Sequence, residues 1–130
     1  MMDSGLWVFD VDGCLIDALT GTSLRPGAAG LLRRLRDADG RLLLWSAGGS
    51  IYAHRRAVQH SLESLFEGFY SKDLRDADGY YRTDHLPLSE TSATFVDDQP
   101  GDLRPDHRII PVSPYLIADC HDTGLSTLMQ

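Results

Sequence analysis

Two short apolar runs, separated by a periodic stretch, define the first part of the chain. Residues 6–9 and 42–45 are continuously apolar, which is typical of strands buried on both faces of a sheet. Between them, apolar side chains recur at helical spacing, at Ala28, Leu31, Leu32 and Leu35. The pattern predicts a strand, a helix that ends at Asp39 and Gly40, and a second strand.

The same alternation continues through the middle of the chain. Ser50 is the predicted N-cap of a second helix, because its hydroxyl can accept a hydrogen bond from the first helical turn. The apolar stripe of this helix is predicted to consist of Ile51, Val58, Leu62 and Leu65. Three further strands are predicted at residues 68–71, 94–96 and 108–112.

The remaining segments complete a single predicted domain. Residues 73–93 show no helical period and are rich in Asp, Gly, Tyr and Ser, so we predict a hairpin or an irregular loop there. A short helix is predicted at residues 125–129. Strands that alternate with helices indicate an α/β fold with a mostly parallel sheet, and no linker divides residues 1–130.

Composition narrows the classes of function. The net charge is −7, which disfavours a nucleic-acid backbone as partner because phosphate contacts need clustered cations. Lys72 is the only lysine, beside eleven arginines. The two cysteines, Cys14 and Cys120, are too few for a disulfide framework, and no apolar run is long enough for a signal or membrane segment. We therefore expect a cytoplasmic protein with no membrane association.

Polar side chains follow four of the predicted strands. They are Asp10 with Asp12, Ser46, Lys72, and Asp97 with Asp98. Because the carboxyl ends of parallel strands meet at one edge of a sheet, we expect these residues to converge there. Four carboxylates at one edge would raise one another's pKa unless a cation lies among them. A hard divalent ion with oxygen ligands, Mg²⁺, suits such a site.

These residue types fit phosphoryl transfer. Asp10 can attack phosphorus as a carboxylate nucleophile. Asp12, two residues later, can protonate the leaving oxygen and then activate water. Ser46 can donate a hydrogen bond to a phosphoryl oxygen, while Lys72 and the metal neutralise charge in the transition state.

The four motifs, in this order, resemble those of the haloacid-dehalogenase (HAD) superfamily of phosphatases. Residues 9–15 are similar to the first motif of that family, Ser46 to the second, Lys72 to the third and residues 96–98 to the fourth. The resemblance implies a Rossmann-like three-layer sandwich with a flap at residues 14–24. Cys14 stands where the family usually has threonine, a departure that removes no catalytic group.

The resemblance also implies a set of site residues. Magnesium would be held by the Asp10 carboxylate, the Asp12 backbone carbonyl, and Asp97 or Asp98. Phosphoryl binding would fall to Ser46, Ala47 and Lys72. Neither insertion point of the family has room for a cap domain, so we expect an open site. The substrate is then a phosphorylated small molecule or a phosphoprotein, and a second copy of the chain in a homo-oligomer could enclose the site.

Simpler interpretations must be weighed against this one. Asp10 and Asp12 could be turn residues after a strand, but a calcium loop is excluded because Gly13 occupies the fourth place instead of the sixth. Two functional alternatives also stay open. The chain could be a non-catalytic regulatory module that binds phosphate or metal, or a phosphotransferase that passes the phosphoryl group to an acceptor other than water.

Overall fold

A five-stranded parallel sheet forms the centre of the molecule. The structure is a computed structural model that describes residues 5–88 and 93–129. Its strands are β1 (Gly5–Asp10), β2 (Gly40–Ser46), β3 (Gly68–Ser71), β4 (Ala93–Asp97) and β5 (Arg108–Pro111). They lie in the order β3-β2-β1-β4-β5, and every neighbouring pair is parallel. The predicted α/β class and parallel sheet are confirmed, and the strand order is that of a Rossmann-like fold.

Two α-helices pack on the same face of this sheet. They are α1 (Ala28–Asp37) and α2 (Ser50–Gln59). The first buries the predicted apolar positions, which are Ala28, Leu31, Leu32 and Leu35. They meet alternate side chains of β1 and β2, because successive residues of a strand point to opposite faces. Within the described residues, no helix has the length and apolar character that crossing a membrane requires.

The second helix is rotated relative to the predicted stripe. Ile51 and Val58 are 70% and 49% exposed, whereas Ala53 and Ala57 face the core. The prediction was wrong because α2 packs on the sheet through its two alanines and not through its large apolar side chains. Leu62 is buried, but only after the helix has ended and the chain has turned.

Glycine, not serine, occupies the N-cap of α2. Gly49 lies at that position with φ 104°, and no side chain caps the helix there. Ser50 is already the first helical residue, so its predicted role as N-cap was wrong. Its backbone N–H instead donates to the Ser71 hydroxyl at 2.9 Å. A positive φ is accessible to glycine without steric cost, which explains the shift by one residue.

The opposite face of the sheet is covered by irregular chain and one short 3₁₀ helix, Pro100–Asp102, in place of α-helices. Apolar side chains that point to this face, among them Trp45 and Phe95, pack against Leu86 and Leu103. Leu86 belongs to the segment predicted to be irregular, and residues 73–88 indeed contain no helix or strand. Residues 89–92 of that segment lie outside the described residues. The third layer of the predicted sandwich is thus made of loops, because turns cut this segment too often for a helix to form.

The C-terminal segment packs beside the predicted flap. The Arg25 side chain is fully buried and joins the two. Its guanidinium donates to Asp122 at 2.6 Å and to the backbone carbonyls of Cys14 and Ser113 at 3.2 and 2.7 Å. The predicted C-terminal helix is a short 3₁₀ turn, Ser126–Met129. A buried charge with this many partners fixes the flap and the C-terminal segment relative to each other.

Candidate functional site

The strand ends bring the predicted residues to one edge of the sheet. β1 and β4 are paired in register up to the residue before each aspartate, so Asp10 and Asp97 are neighbours where the strands end. Ser46 ends the adjacent strand β2, and Lys72 follows β3 directly. Parallel pairing therefore assembles side chains that are far apart in the sequence.

Lys72 is the central cation of this edge. Its ammonium donates hydrogen bonds to Asp10 Oδ1 at 2.9 Å and to Asp97 Oδ2 at 2.8 Å. It also lies 4.8 Å from the centre of the Trp45 ring and 5.4 Å from that of Tyr81, where cation–π attraction adds to the ion pairs. The side chains of Lys72 and Asp97 are only 5% and 1% exposed. The cation is thus held in a fixed position, away from water.

Burial shifts the pKa of each group in this network. It raises the pKa of Asp10 to about 7, against the opposing effect of Lys72, and the nearby Asp98 carboxyl raises it further. Burial, followed by repulsion from Asp10, also raises the pKa of Asp97. Burial alone would lower the pKa of Lys72, but the two carboxylates outweigh it and raise that pKa. Two buried carboxyls and the nearby Asp98 thus face a single ammonium, so full ionisation of all three is disfavoured unless a further cation is bound.

Three carboxylates of the cluster are close enough to share an ion. One oxygen each from Asp10, Asp97 and Asp98 lies within 4.8 Å of the other two. Asp98 Oδ1 is buried and has no hydrogen-bond partner. A Cβ at Gly13, where φ is 78°, would lie 2.5 Å from Asp98 Oδ2, so only glycine leaves room for this carboxylate. These oxygens form a donor set suited to a hard cation.

The Asp12 carboxylate points away from the three-carboxylate cluster and towards α2. Its Oδ1 accepts a hydrogen bond of 2.6 Å from the Tyr52 hydroxyl. Tyr52 occupies the first turn of α2, next to the buried Ala53, so the rotation of α2 brings its ring to the site. Asp12 is therefore oriented by a neutral donor at one of its two carboxylate oxygens.

A cavity of 250 Å³ contains most of the predicted site. Its lining includes Asp10, Asp12, Ser46, Ala47, Lys72 and Asp98. The Ser46 hydroxyl accepts a hydrogen bond of 3.0 Å from the Gly48 N–H, which leaves its own proton free to be donated. A larger cavity of 370 Å³ lies beside β3, and none of the predicted site residues lines it.

Several residues in or beside this cavity were not predicted from the sequence. Tyr52 and Tyr81 contact the predicted site residues, and Leu116 comes from the C-terminal segment. An aromatic residue in the first turn of a helix that begins at the site was a usable signal for Tyr52. No sequence period marks Leu116, because it reaches the cavity through an irregular segment.

Comparison with known proteins does not identify a function for this chain. No protein-family model matches the chain, and no curated protein matches it. The resemblance to the HAD superfamily therefore stays an expectation from the motifs. What the chain does must be argued from the chemistry of the site.

Proposed function

We propose that this chain is a magnesium-dependent phosphatase of the HAD type that forms an aspartyl-phosphate on Asp10. The observation that carries the proposal is the buried pair of Asp10 and Lys72, 2.9 Å apart, in a cavity that Asp12 also lines. This arrangement supplies a carboxylate nucleophile, a cation for the phosphoryl oxygens and a second carboxyl for proton transfer.

The carboxylates fit Mg²⁺, and they differ in how free they are to bind it. Both oxygens of Asp97 are engaged, one by Lys72 and the other by the Gln99 N–H at 2.8 Å. Asp98 Oδ1, by contrast, is buried without a partner. We therefore assign direct ligation to Asp10 and Asp98, with the backbone carbonyl of Asp12 as a further ligand. When bound, the ion would offset carboxylate charge and polarise the phosphoryl group.

The roles of Asp97 and Asp98 can be separated by substitution. Asp98→Asn should weaken Mg²⁺ binding at least tenfold, as measured by calorimetry. The stability of the metal-free variant should be equal to that of the wild type or higher, because the substitution removes repulsion between the carboxylates of Asp98 and Asp10. Asp97→Asn should instead lower that stability, because Lys72 loses a buried acceptor. The assignment fails if Asp98→Asn binds Mg²⁺ as the wild type does.

The reaction proceeds through two displacements at phosphorus. An Asp10 oxygen forms a bond to phosphorus while the bond between phosphorus and the leaving oxygen breaks, and the Asp12 carboxyl gives that oxygen its proton. In the second step the Asp12 carboxylate takes a proton from water. The water oxygen then bonds to phosphorus, and the Asp10–phosphorus bond breaks to release phosphate. The Tyr52 hydroxyl holds Asp12 in place for both transfers.

The phosphoryl group itself is positioned by the loop after β2 and by Lys72. The Ser46 hydroxyl has a proton to donate, and Ala47 follows it on the cavity wall. Hydrogen bonds from the Ser46 hydroxyl and the Ala47 backbone N–H, together with the charge of Lys72, would stabilise negative charge on the equatorial oxygens as it develops.

The first test is hydrolysis of an aryl phosphate with and without Mg²⁺ by wild type, Asp10→Asn and Asp39→Asn. Asp39 is an exposed turn aspartate with φ 65°, a conformation that asparagine tolerates, and it is the matched control. We expect metal-dependent turnover by the wild type and the control, and loss of at least a thousandfold in Asp10→Asn.

Other outcomes separate the alternatives. If wild type and Asp10→Asn are both inactive while Mg²⁺ and phosphate still bind, the chain is a binding module and the proposal is wrong. If a competing alcohol captures the phosphoryl group in preference to water, the chain is a phosphotransferase. Equal activity in wild type and Asp10→Asn would mean that Asp10 is not the nucleophile.

A further inference from the structure

Apolar side chains are exposed on one side of the cavity that holds the carboxylates. Ala18 and Leu116 line the cavity, and Leu19 and Ile117 are their neighbours in the chain. Leu19, Leu116 and Ile117 are 71%, 56% and 68% exposed. We call these four residues the apolar rim. Large apolar side chains that are exposed together, beside a catalytic cavity, indicate a surface that binds something.

The apolar rim is held in place by backbone hydrogen bonds. The N–H of Ala18 donates to the Tyr115 carbonyl at 3.0 Å, and the N–H of Leu19 donates to the Leu116 carbonyl at 2.9 Å. The Tyr115 N–H donates to the Gly13 carbonyl at 2.8 Å, which ties the C-terminal segment to the turn after β1. A surface fixed in this way is formed before a ligand arrives, so little conformational entropy is lost on binding.

The charges around the cavity restrict the ligand further. Among the described residues that line it, Lys72 is the only Lys or Arg, and its ammonium is already bonded to two carboxylates. The remaining charged groups of the lining are acidic, and Asp102 has Arg75 as its ion-pair partner at 3.4 Å. A second anionic group on a ligand that stays within this lining would therefore meet negative potential, because no further Lys or Arg is among the lining residues.

We propose that the apolar rim binds the leaving group of the substrate, and that this substrate is a phosphomonoester whose leaving group is apolar and carries no negative charge. The inference rests on the proposed function for the phosphoryl end of the cavity. It adds that nucleoside polyphosphates, bisphosphates and phosphorylated acids are poor ligands. The same apolar chemistry could belong to a small aryl or alkyl ester or to an apolar phosphopeptide side chain.

Phosphonates test this inference without turnover, because their carbon–phosphorus bond is not hydrolysed. Affinities of naphthylmethylphosphonate and methylphosphonate are measured by calorimetry with Mg²⁺ for wild type, Leu116→Asn and Leu19→Asn. Val58→Asn is the matched control, since Val58 is equally apolar and 49% exposed but lies near the far end of α2. Burial of the naphthyl group should make the aryl ligand bind at least tenfold more tightly to wild type and to the control.

The two rim variants should lose most of that preference while they bind methylphosphonate as the wild type does. A carboxylate added to the naphthyl ring should weaken binding to the wild type about tenfold through repulsion. A short peptide that carries phosphonomethyl-phenylalanine between apolar residues identifies the source of the leaving group. If the peptide binds more tightly than the naphthyl compound, the substrate is a phosphopeptide; if it binds more weakly, the substrate is a small ester. In both cases Leu116→Asn must lower the affinity of the tighter ligand.

Two results would overturn the inference. One is equal affinity of wild type for the aryl and methyl phosphonates, or no binding of either. The other is an aryl preference that survives in both Leu116→Asn and Leu19→Asn. A failure of the proposed function looks different, because the aryl preference would then persist in a protein that hydrolyses no phosphate ester.

Discussion

Replacing Lys72 with methionine tests the electrostatic organisation of the site most directly. Methionine keeps the length and the apolar character of the side chain, so packing against Trp45 and Tyr81 is preserved, while the cation is removed. Asp10 and Asp97 then lose an ammonium at 2.9 and 2.8 Å. Removing one partner of a buried ion pair typically costs about 3–5 kcal/mol, and we expect a loss of that size in the free energy of unfolding.

The size of the loss should depend on pH and on metal. At about pH 5.5 Asp10 can take up a proton, because its pKa is already raised to about 7 with Lys72 present, so the cost should be smaller than at about pH 8. Mg²⁺ should recover part of the loss. A ligand that binds only the native state adds about 2.7 kcal/mol at a hundredfold excess over its Kd, and the more negative cluster of the variant should bind the ion more tightly than the wild type does.

Urea unfolding followed by tryptophan fluorescence measures these differences, in buffers with chelator or with Mg²⁺. Arg41→Met is the control, because the Arg41–Glu67 pair is exposed and screened by solvent, so its loss should leave the free energy of unfolding close to that of the wild type. The reasoning is refuted if Lys72→Met also costs under about 1 kcal/mol at both pH values and gains no more from Mg²⁺ than the wild type does.

Three further predictions follow from the same contacts. Arg25→Met should cost about 3–5 kcal/mol in urea unfolding, since Asp122 loses its buried partner; a cost below about 1 kcal/mol would contradict the clamp. Tyr52→Phe should lower kcat/KM about tenfold through loss of the hydrogen bond to Asp12, with Mg²⁺ affinity unchanged; unaltered steady-state kinetics would rule out the positioning role. The pKa of Asp10 is about 7 in the folded chain against an ordinary 3.8, so the native state holds a proton that the unfolded state has released. Metal-free stability should therefore fall as pH rises from about 4 to 7. Asp97, whose pKa is also raised, contributes in the same direction, so Asp10→Asn should reduce the slope, and an undiminished slope in that variant would exclude Asp10 as its origin.

The strands and their ends could be predicted because each is marked by a short stretch of neighbouring residues, an apolar run followed by a polar side chain. A continuous apolar run of four residues is typical of a strand buried on both faces of a parallel sheet, and the first polar residue after it then lies near the edge of that sheet. This local pattern is enough to predict that Asp10, Ser46 and Asp97 lie at one end of the sheet. It also predicted Lys72 there, although β3 is short and only half-buried.

The orientation of α2 could not be predicted in the same way. Hydrophobicity favoured Ile51 and Val58 as the buried side, yet the helix packs through Ala53 and Ala57. Close approach of two backbones depends on small side chains, and a hydrophobicity pattern does not register that advantage. Because the orientation of α2 was predicted wrongly, Tyr52 was not predicted to lie at the site; its contact with Asp12 depends on the observed orientation of the helix.

The contacts of the C-terminal segment were beyond sequence reasoning for a different reason. Arg25 pairs with Asp122 across 97 positions of the chain, and nothing in either local sequence marks the partner. The same holds for Leu116, which reaches the cavity only because the segment is fixed by backbone hydrogen bonds. A contact between two residues that are far apart in the chain leaves no periodic pattern or fixed spacing in the sequence, so it cannot be predicted from such patterns.

The carboxylates of the site differ in their hydrogen-bond partners, and most of their oxygens are satisfied within the protein. Lys72 satisfies one oxygen of Asp10 and one of Asp97, and the Gln99 N–H satisfies the other oxygen of Asp97. Asp98 Oδ1 is left without a hydrogen-bond partner, and Gly13 leaves room for this carboxylate. The carboxylates of Asp10 and Asp97 therefore have protein partners of their own, unlike the ligands of small domains that fold only around a metal. The incomplete neutralisation is what would draw a divalent cation to the cavity, at the point where a phosphoryl group would meet both charges.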